Sequence, residues 1–320
     1  MIPAFRDRRA WRAGAAVALL LGGCAGIPQT RALLDAPPVE LERKAELIAV
    51  PFFPQERFQC GPAALATMLG WSGVEVAPEE LEPLVYVPDR QGSLQPELLA
   101  AARRYQRIPY VLEPELTVLL REVGAGHPVL VLQNLAYSWY PRWHYAVVVG
   151  FDLDRGEVVL RSGAHARHFQ SLGSFEYTWR RAGHWAVVTL GAESMPVTAS
   201  EQAYLRAVLP FEQAADWKTA AAAYRGAAAR WPSSAGAWFG LGNSAFQQHD
   251  FAGAESAFRR VLMLRPESPI ALNNLALVML QQGDGDEAAR LAERALAADP
   301  ANPEFRATLD EILRHTAGGQ

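Results

Sequence analysis

Cys60 stands directly before Gly61 and Pro62, at the head of an apolar run, "CGPAALATML", that reads as a helix over residues 62–69. Pro62 fits the first turn, where a missing N–H costs nothing. A thiol at that place meets the positive end of the helix, which favours thiolate, the form that attacks carbonyl carbon. Such chemistry also needs a base. Of the seven histidines, His144 opens the strand-like run "HYAVVVGFD". A base at the start of a central strand can face a helix N-terminus across a cleft. His127 begins another apolar run, His165, His168 and His184 fall in loop-like stretches, and His249 and His315 belong to the C-terminal part. The histidines lack ligand spacing and Cys60 has no cysteine neighbour, so no metal site and no cofactor are expected. No glycine-rich phosphate loop precedes a helix.

The elements that must position these residues follow from the pattern around them. "LIAVPFF" reads as a strand ended by Pro54, "APEELEPLV" as a helix with acidic residues in its first turn, and "SLQPELLAAARRYQ" as a helix with Arg103 and Arg104 in its last turns. Strands then take over. "IPYVL" is short, "HPVLVLQN" is a continuous apolar run, and "HYAVVVGFD" and "EVVLRSG" flank the connection "LDRG", with "WAVVTL" last. Residues 46–192 thus read as an α+β unit with helices first and a mostly antiparallel sheet after them.

In order along the chain, "VPFFPQERFQCGPAALATML", "QGSLQPELLAAARRY", "GHPVLVLQN" and "HYAVVVGFD" resemble the papain-like cysteine peptidases that remove double-glycine leaders from bacteriocins. The resemblance covers about residues 48–165. It implies Cys60 as nucleophile and His144 as general base and later acid. A glutamine shortly before the cysteine would supply an oxyanion-hole donor beside the cysteine N–H. Gln55 is the choice, five residues before Cys60 where six is more usual, and Gln59 is the competitor. The family's Asp-Pro after the histidine strand is here Ser162-Gly163. Ser162 can accept a hydrogen bond from the imidazole but brings no negative charge to stabilise imidazolium, although neutral orienters do serve cysteine peptidases. Asp152 and Asp154 lie at the far end of the hairpin from His144. Asn134 is an alternative orienter or a strand-end cap. Trp143 and Tyr145 flank the histidine, and either lining the cleft or packing in the core suits them.

The N-terminus, "MIPAFRDRRAWRAGAAVALLLGGCAG", has a positive start, an apolar core too short to span a bilayer as a mature helix, and Leu-Gly-Gly-Cys at its end. It resembles a lipobox, which implies cleavage after residue 23 and lipidation of Cys24. Several acyl chains on one residue anchor durably where one does not. Ala25 follows rather than the aspartate associated with inner-membrane retention, so the expected place is the outer membrane, facing the periplasm. Cys24 and Cys60 are the only cysteines. With Cys24 lipidated, Cys60 has no partner in the chain, and a lone thiol in an oxidising compartment must be buried or used.

From residue 200 the sequence turns alanine-rich. Pro232, Pro266 and Pro300 recur every 34 residues, the tetratricopeptide period. Ala220, Ala254 and Ala288 coincide at that step as small residues where helices cross. So do Tyr204, Trp238 and Leu272 as large packers, and Tyr224 with Phe258, Ala292 departing. Three repeats and a capping helix in "NPEFRATLDEILRHT" form the expected solenoid. The absence of basic residues at groove-facing positions of the last two repeats argues against a carboxylate clamp. The full division is a signal peptide over 1–23, a tether over 24–45, a papain-like α+β domain over 46–192, a linker over 193–199 and an all-α tetratricopeptide solenoid over 200–320. The net charge of -4 argues against a nucleic-acid partner. The expected partners are a peptide or protein substrate, a protein bound by the repeats, and the membrane through Cys24. The function expected is a lipid-anchored periplasmic cysteine peptidase. A catalytically weak peptide-binding scaffold lipoprotein is the alternative.

Overall fold

The computed structural model describes residues 26–54 and 59–318. The signal segment, Cys24 and Gln55 lie outside the described residues. The chain divides into two compact units, Met1–Leu98 with Val111–Val188, and Leu99–Tyr110 with Thr189–Gln320.

Within the stretch read as a tether the structure has a docked helix, α1 (Pro28–Asp35), and a short strand, β1 (Lys44–Glu46). The reason is a buried carboxylate. Glu176 accepts from the N–H groups of Gln29 (3.0 Å) and Thr30 (2.6 Å), the first-turn donors that α1 cannot satisfy itself. Gln29 adds a side-chain bond to Pro114 O, and Leu33 is buried. The strand expected at "LIAVPFF" is displaced to β1. Beyond Leu47, whose N–H still reaches Val149 O, the carbonyls of Ile48 and Val50 are taken by the buried guanidinium of Arg161 instead of by a neighbouring strand.

Next come α2 (Cys60–Trp71), α3 (Pro78–Val85), the small ribbon β2 (Tyr86–Val87) and β3 (Gly92–Ser93), and α4 (Gln95–Arg104). Every residue of α2 from Gly61 to Leu69 is buried, which suits a helix apolar on all sides. The helix starts at Cys60 itself, two residues before the expected Pro62. After β4 (Arg107–Val111) follow α5 (Leu116–Gly124), β5 (Val129–Asn134), β6 (Trp143–Asp152), β7 (Glu157–Ser162), β8 (His165–Ser171), α6 (Leu172–Arg180) and β9 (Ala186–Gly191). Sequence reading anticipated neither α5 nor α6. It also left His165 and His168 in a loop, whereas they sit on β8.

The sheet of the first unit runs β9-β5-β6-β7-β8, antiparallel at each pair given by the register. β6 is long enough to serve two partners on one side. Its first half pairs with β5 (Asn134↔Trp143 to Val129↔Val148) and its second half with β1 (Glu46↔Gly150 to Lys44↔Asp152). Gly150 permits this: a Cβ there would lie 2.7 Å from Ala45 O. On the other side β7 joins β6 only from Val147 onward, which leaves the head of β6, with His144, unpaired by β7.

The second unit holds three helix pairs, α7 (Glu201–Gln213) with α8 (Trp217–Arg230), α9 (Ala235–Gln247) with α10 (Phe251–Leu264) and α11 (Pro269–Gln281) with α12 (Gly285–Ala298), closed by α13 (Pro303–Gly318). Ala220, Ala254 and Ala288 are fully buried, as close helix crossing requires. The second helix of each pair is capped by an aspartate, Asp216, Asp250 or Asp284, which accepts from the backbone three residues on. The residue before each aspartate, Ala215, His249 or Gly283, has positive φ, and only the third has the residue that does so without strain.

Candidate functional site

The site lies where the N-terminus of α2 meets the head of β6. Gly61 lets the helix approach the β2–β3 ribbon, since a Cβ there would stand 2.5 Å from Ser93 Cβ. Tyr145 ties the same ribbon to the sheet, its Oη donating to Ser93 O at 3.2 Å. Opposite Tyr145 on β5, Leu132 directs its N–H away to Trp185 O. Facing residues of an antiparallel ladder turn their polar groups the same way, both inward or both outward. Tyr145 therefore turns its N–H away from β5, and that N–H meets the Cys60 sulfur. The cysteine is thus placed against the residue that follows His144.

His144 in turn meets Ser162: imidazole Nε2 and Ser162 Oγ are 2.8 Å apart. The two residues come from adjacent strands on the same face of the sheet. Gln133, directly opposite His144 on β5, is buried and donates to Thr178 Oγ1 on α6 at 2.7 Å, bracing this face from below.

Burial favours the neutral form of both Cys60 and His144. Burial pushes the Cys60 thiol up, against the pull of the backbone N–H groups of Tyr145, Gly61 and Cys60 that face the sulfur. Burial pushes the His144 imidazole down to about 4, helped by the nearby charges of His168 and Arg142. Among the described residues no carboxylate charge favours the imidazolium of His144, and Ser162 stands where the resembled family has aspartate.

The other residues singled out in the sequence separate clearly. Gln59 caps nothing with its side chain and turns toward Glu82, Nε2 to Oε2 3.5 Å. Asn134 is a strand-end cap: Oδ1 accepts from Ala136 N (3.1 Å) and Arg142 N (3.0 Å), so it does not orient His144. Asp152 and Asp154 pair with Lys44 and Arg43 at the opposite end of β6. Tyr145 is core and Trp143 is exposed. Sequence reading missed Ser93, Gln133 and Arg161. Arg161, one residue before Ser162, holds Ile48 O, Val50 O and Ala166 O together, fixing the start of the segment that leads to Cys60. A charged residue inside an apolar strand, "VVLRSG", is the signal that could have found it.

In the second unit a groove of about 300 Å³ between the helix pairs is lined by residues including Glu212, Trp217, Asn243, Phe246 and Asn274, with no lysine or arginine among its lining residues.

The profile of the peptidase C39-like family matches residues 47–187, and a tetratricopeptide-repeat profile matches residues 205–269 and 240–303. Among solved structures, a chain assigned as a C39-like peptidase from Bacillus anthracis is 20% identical, with 47% of this chain and 98% of that one covered and a TM-score of 0.40. The first tetratricopeptide domain of human RPAP3 is 19% identical over 37% of this chain and 93% of that one, with a TM-score of 0.36. No curated protein matches the chain. The α+β unit that carries Cys60 and His144 is a peptidase C39-like domain, and the helices after it are tetratricopeptide repeats.

Proposed function

We propose that this chain is a lipid-anchored cysteine peptidase of the bacterial periplasm, with Cys60 and His144 as its dyad and its repeats as the element that recruits a substrate or partner protein. The observation that carries the dyad is that the Cys60 sulfur meets the N–H of Tyr145, the residue next to His144, while His144 Nε2 lies 2.8 Å from Ser162 Oγ. With the imidazole proton on Nε2, Ser162 Oγ accepts it and Nδ1 is left as the base. Because burial favours the neutral form of both groups, His144 takes the thiol proton as the sulfur attacks, instead of facing a preformed thiolate. The S–C bond forms and the carbonyl oxygen becomes an oxyanion, held by the Cys60 N–H and the Gln55 amide. The imidazolium then gives its proton to the leaving amine as the C–N bond breaks, and the thioester is hydrolysed by water that His144 deprotonates. Anchoring through Cys24 and an outer-membrane location belong to the same reading and rest on the lipobox-like N-terminus.

Peptide-library hydrolysis with the purified chain tests it. Cleavage is expected from the wild type and not from Cys60→Ala or His144→Ala. Alkylation of Cys60 should climb only above the ordinary thiol value of about 8.5, and more slowly near neutrality in His144→Ala. Cleavage that survives Cys60→Ala, or alkylation indifferent to His144→Ala, overturns the dyad.

A further inference from the structure

The connection from β5 to β6, residues 135–142, exposes Tyr137, Trp139 and Tyr140, with Trp143 beside it; Trp139 is 81% exposed. The rings are ordered against one another, Tyr137 stacked on Trp139 at 5.6 Å and Tyr140 tilted against Trp139 at 6.0 Å. Asn134 pins the loop through Ala136 N and Arg142 N. Arg181 donates to Asn134 O at 2.7 Å and lays its guanidinium 4.4 Å over the exposed Tyr177 ring, with Arg180 also over that ring. Gly26 sits at the same place, where a Cβ would be 3.9 Å from Tyr177 Cδ2. The aromatic loop, the two arginines and the start of α1 therefore form one continuous face of the first unit.

We infer that this face lies against the lipid bilayer. The inference rests on the reading of Cys24 as the lipidated residue. Cys24 is two residues before Gly26, a reach of only about 7 Å at full extension. Glu176 and Gln29 hold the beginning of α1 to the body of the unit, so no slack follows. Acyl chains on Cys24 would bring Tyr177 and the arginines to the headgroups. Indole and phenol rings favour that interfacial zone, and guanidinium groups pair with lipid phosphate. A patch of this kind in open water is unfavourable, whereas at an interface each ring has an apolar and a wet side. A bound peptide is the rival occupant, because Trp143 adjoins His144.

The full chain with its anchor is reconstituted in phosphatidylcholine vesicles whose acyl chains are brominated near the headgroup, and tryptophan emission is compared with unbrominated vesicles. Bromolipid should quench the wild type, and Trp139→Phe should lose a large share of that quenching. Equal quenching in both overturns the inference. A Trp139→Ala variant that raises KM for a cleaved peptide in detergent while Trp139→Phe leaves quenching unchanged identifies the peptide as occupant and also overturns it. The mass of the N-terminal peptide reports the anchor separately. Should Cys24 carry no acyl chain, vesicle sedimentation decides: pelleting that Trp139→Ala with Tyr140→Ala abolishes supports the face, and pelleting absent or unaffected overturns it.

Discussion

The two units bury different kinds of polar group. Among the described residues, the buried charged side chains Glu122, Arg161 and Glu176 all belong to the first unit, while the buried polar residues of the second are Thr, Ser and Asn. The repeats satisfy their helix ends locally, with aspartates that cap their own helix. The first unit adds long-range bonds to such local caps as Ser171, with Glu176 on α6 capping α1 and Arg161 on β7 holding the approach to Cys60. Charge inside the first unit works as a positioning device, and it makes that unit the more sensitive to single substitutions.

The contrast can be broken in several places. The largest effect is chemical. Cys60→Ala should reduce peptide hydrolysis to background with the circular dichroism unchanged, because Ala occupies the helix start as well as Cys does. Glu176→Ala removes the acceptor of two buried N–H groups and should cost about 3 kcal/mol, read by urea unfolding. Hydrogen exchange should rise in α1 and α6 and not in the repeats. Acid should cost a similar amount through His144. Its folded value, about 4, lies below the ordinary 6.5, so the unfolded chain binds the extra proton between those pH values. Stability is complete above about pH 6.5 and falls by about 3 kcal/mol as pH drops through 4; His144→Gln should flatten that part of the pH–stability curve. In the repeats, a Cβ at Gly242 would stand 2.7 Å from the buried Phe258 ring, so Gly242→Ala should cost about 1–3 kcal/mol with little dependence on pH. The smallest effect is Ser162→Ala, the loss of one hydrogen bond to His144, about 1 kcal/mol or a five- to tenfold fall in kcat. Ser162→Asp should move the acid limb of the rate profile upward, since a carboxylate favours imidazolium.

Much of this architecture was legible in the sequence, and the misses have physical causes. The 34-residue spacing displayed the solenoid because each repeat packs mainly on its neighbours. The same step would have disclosed Asp216, Asp250 and Asp284 as caps. Strands β5, β6, β7 and β9 announced themselves through β-branched apolar runs. β8 did not: "HARHFQS" is an outer strand, mostly exposed, with no apolar face to create a pattern. Helix α5 carried a helical stripe in Leu116, Leu119, Leu120 and Val123, and α6 an N-cap in Ser171, and both were available to a closer reading. The docking of α1 was not legible, because it depends on Glu176, more than 140 residues away. At the site, the residue types and order of Cys60, His144 and Ser162 were readable, and the structure brings His144 and Ser162 together. The neutral form favoured at Cys60 and at His144 was not readable, being a product of burial.

The long strand β6 carries a consequence for how the chain is made. Its partners β1 and β5 precede it and β7 follows it, and the β1 pairing spans from Lys44 to Asp152, so the sheet closes late and through distant contacts. Local helix pairs nucleate quickly by comparison, since little loop entropy is lost before contacts form. Until β6 arrives, the head of α2 has no strand beside it and Cys60 is an accessible sulfur. Folding lowers that exposure without ending it, since Cys60 stays partly exposed in the folded chain, so a chain delayed at that step carries the more exposed thiol.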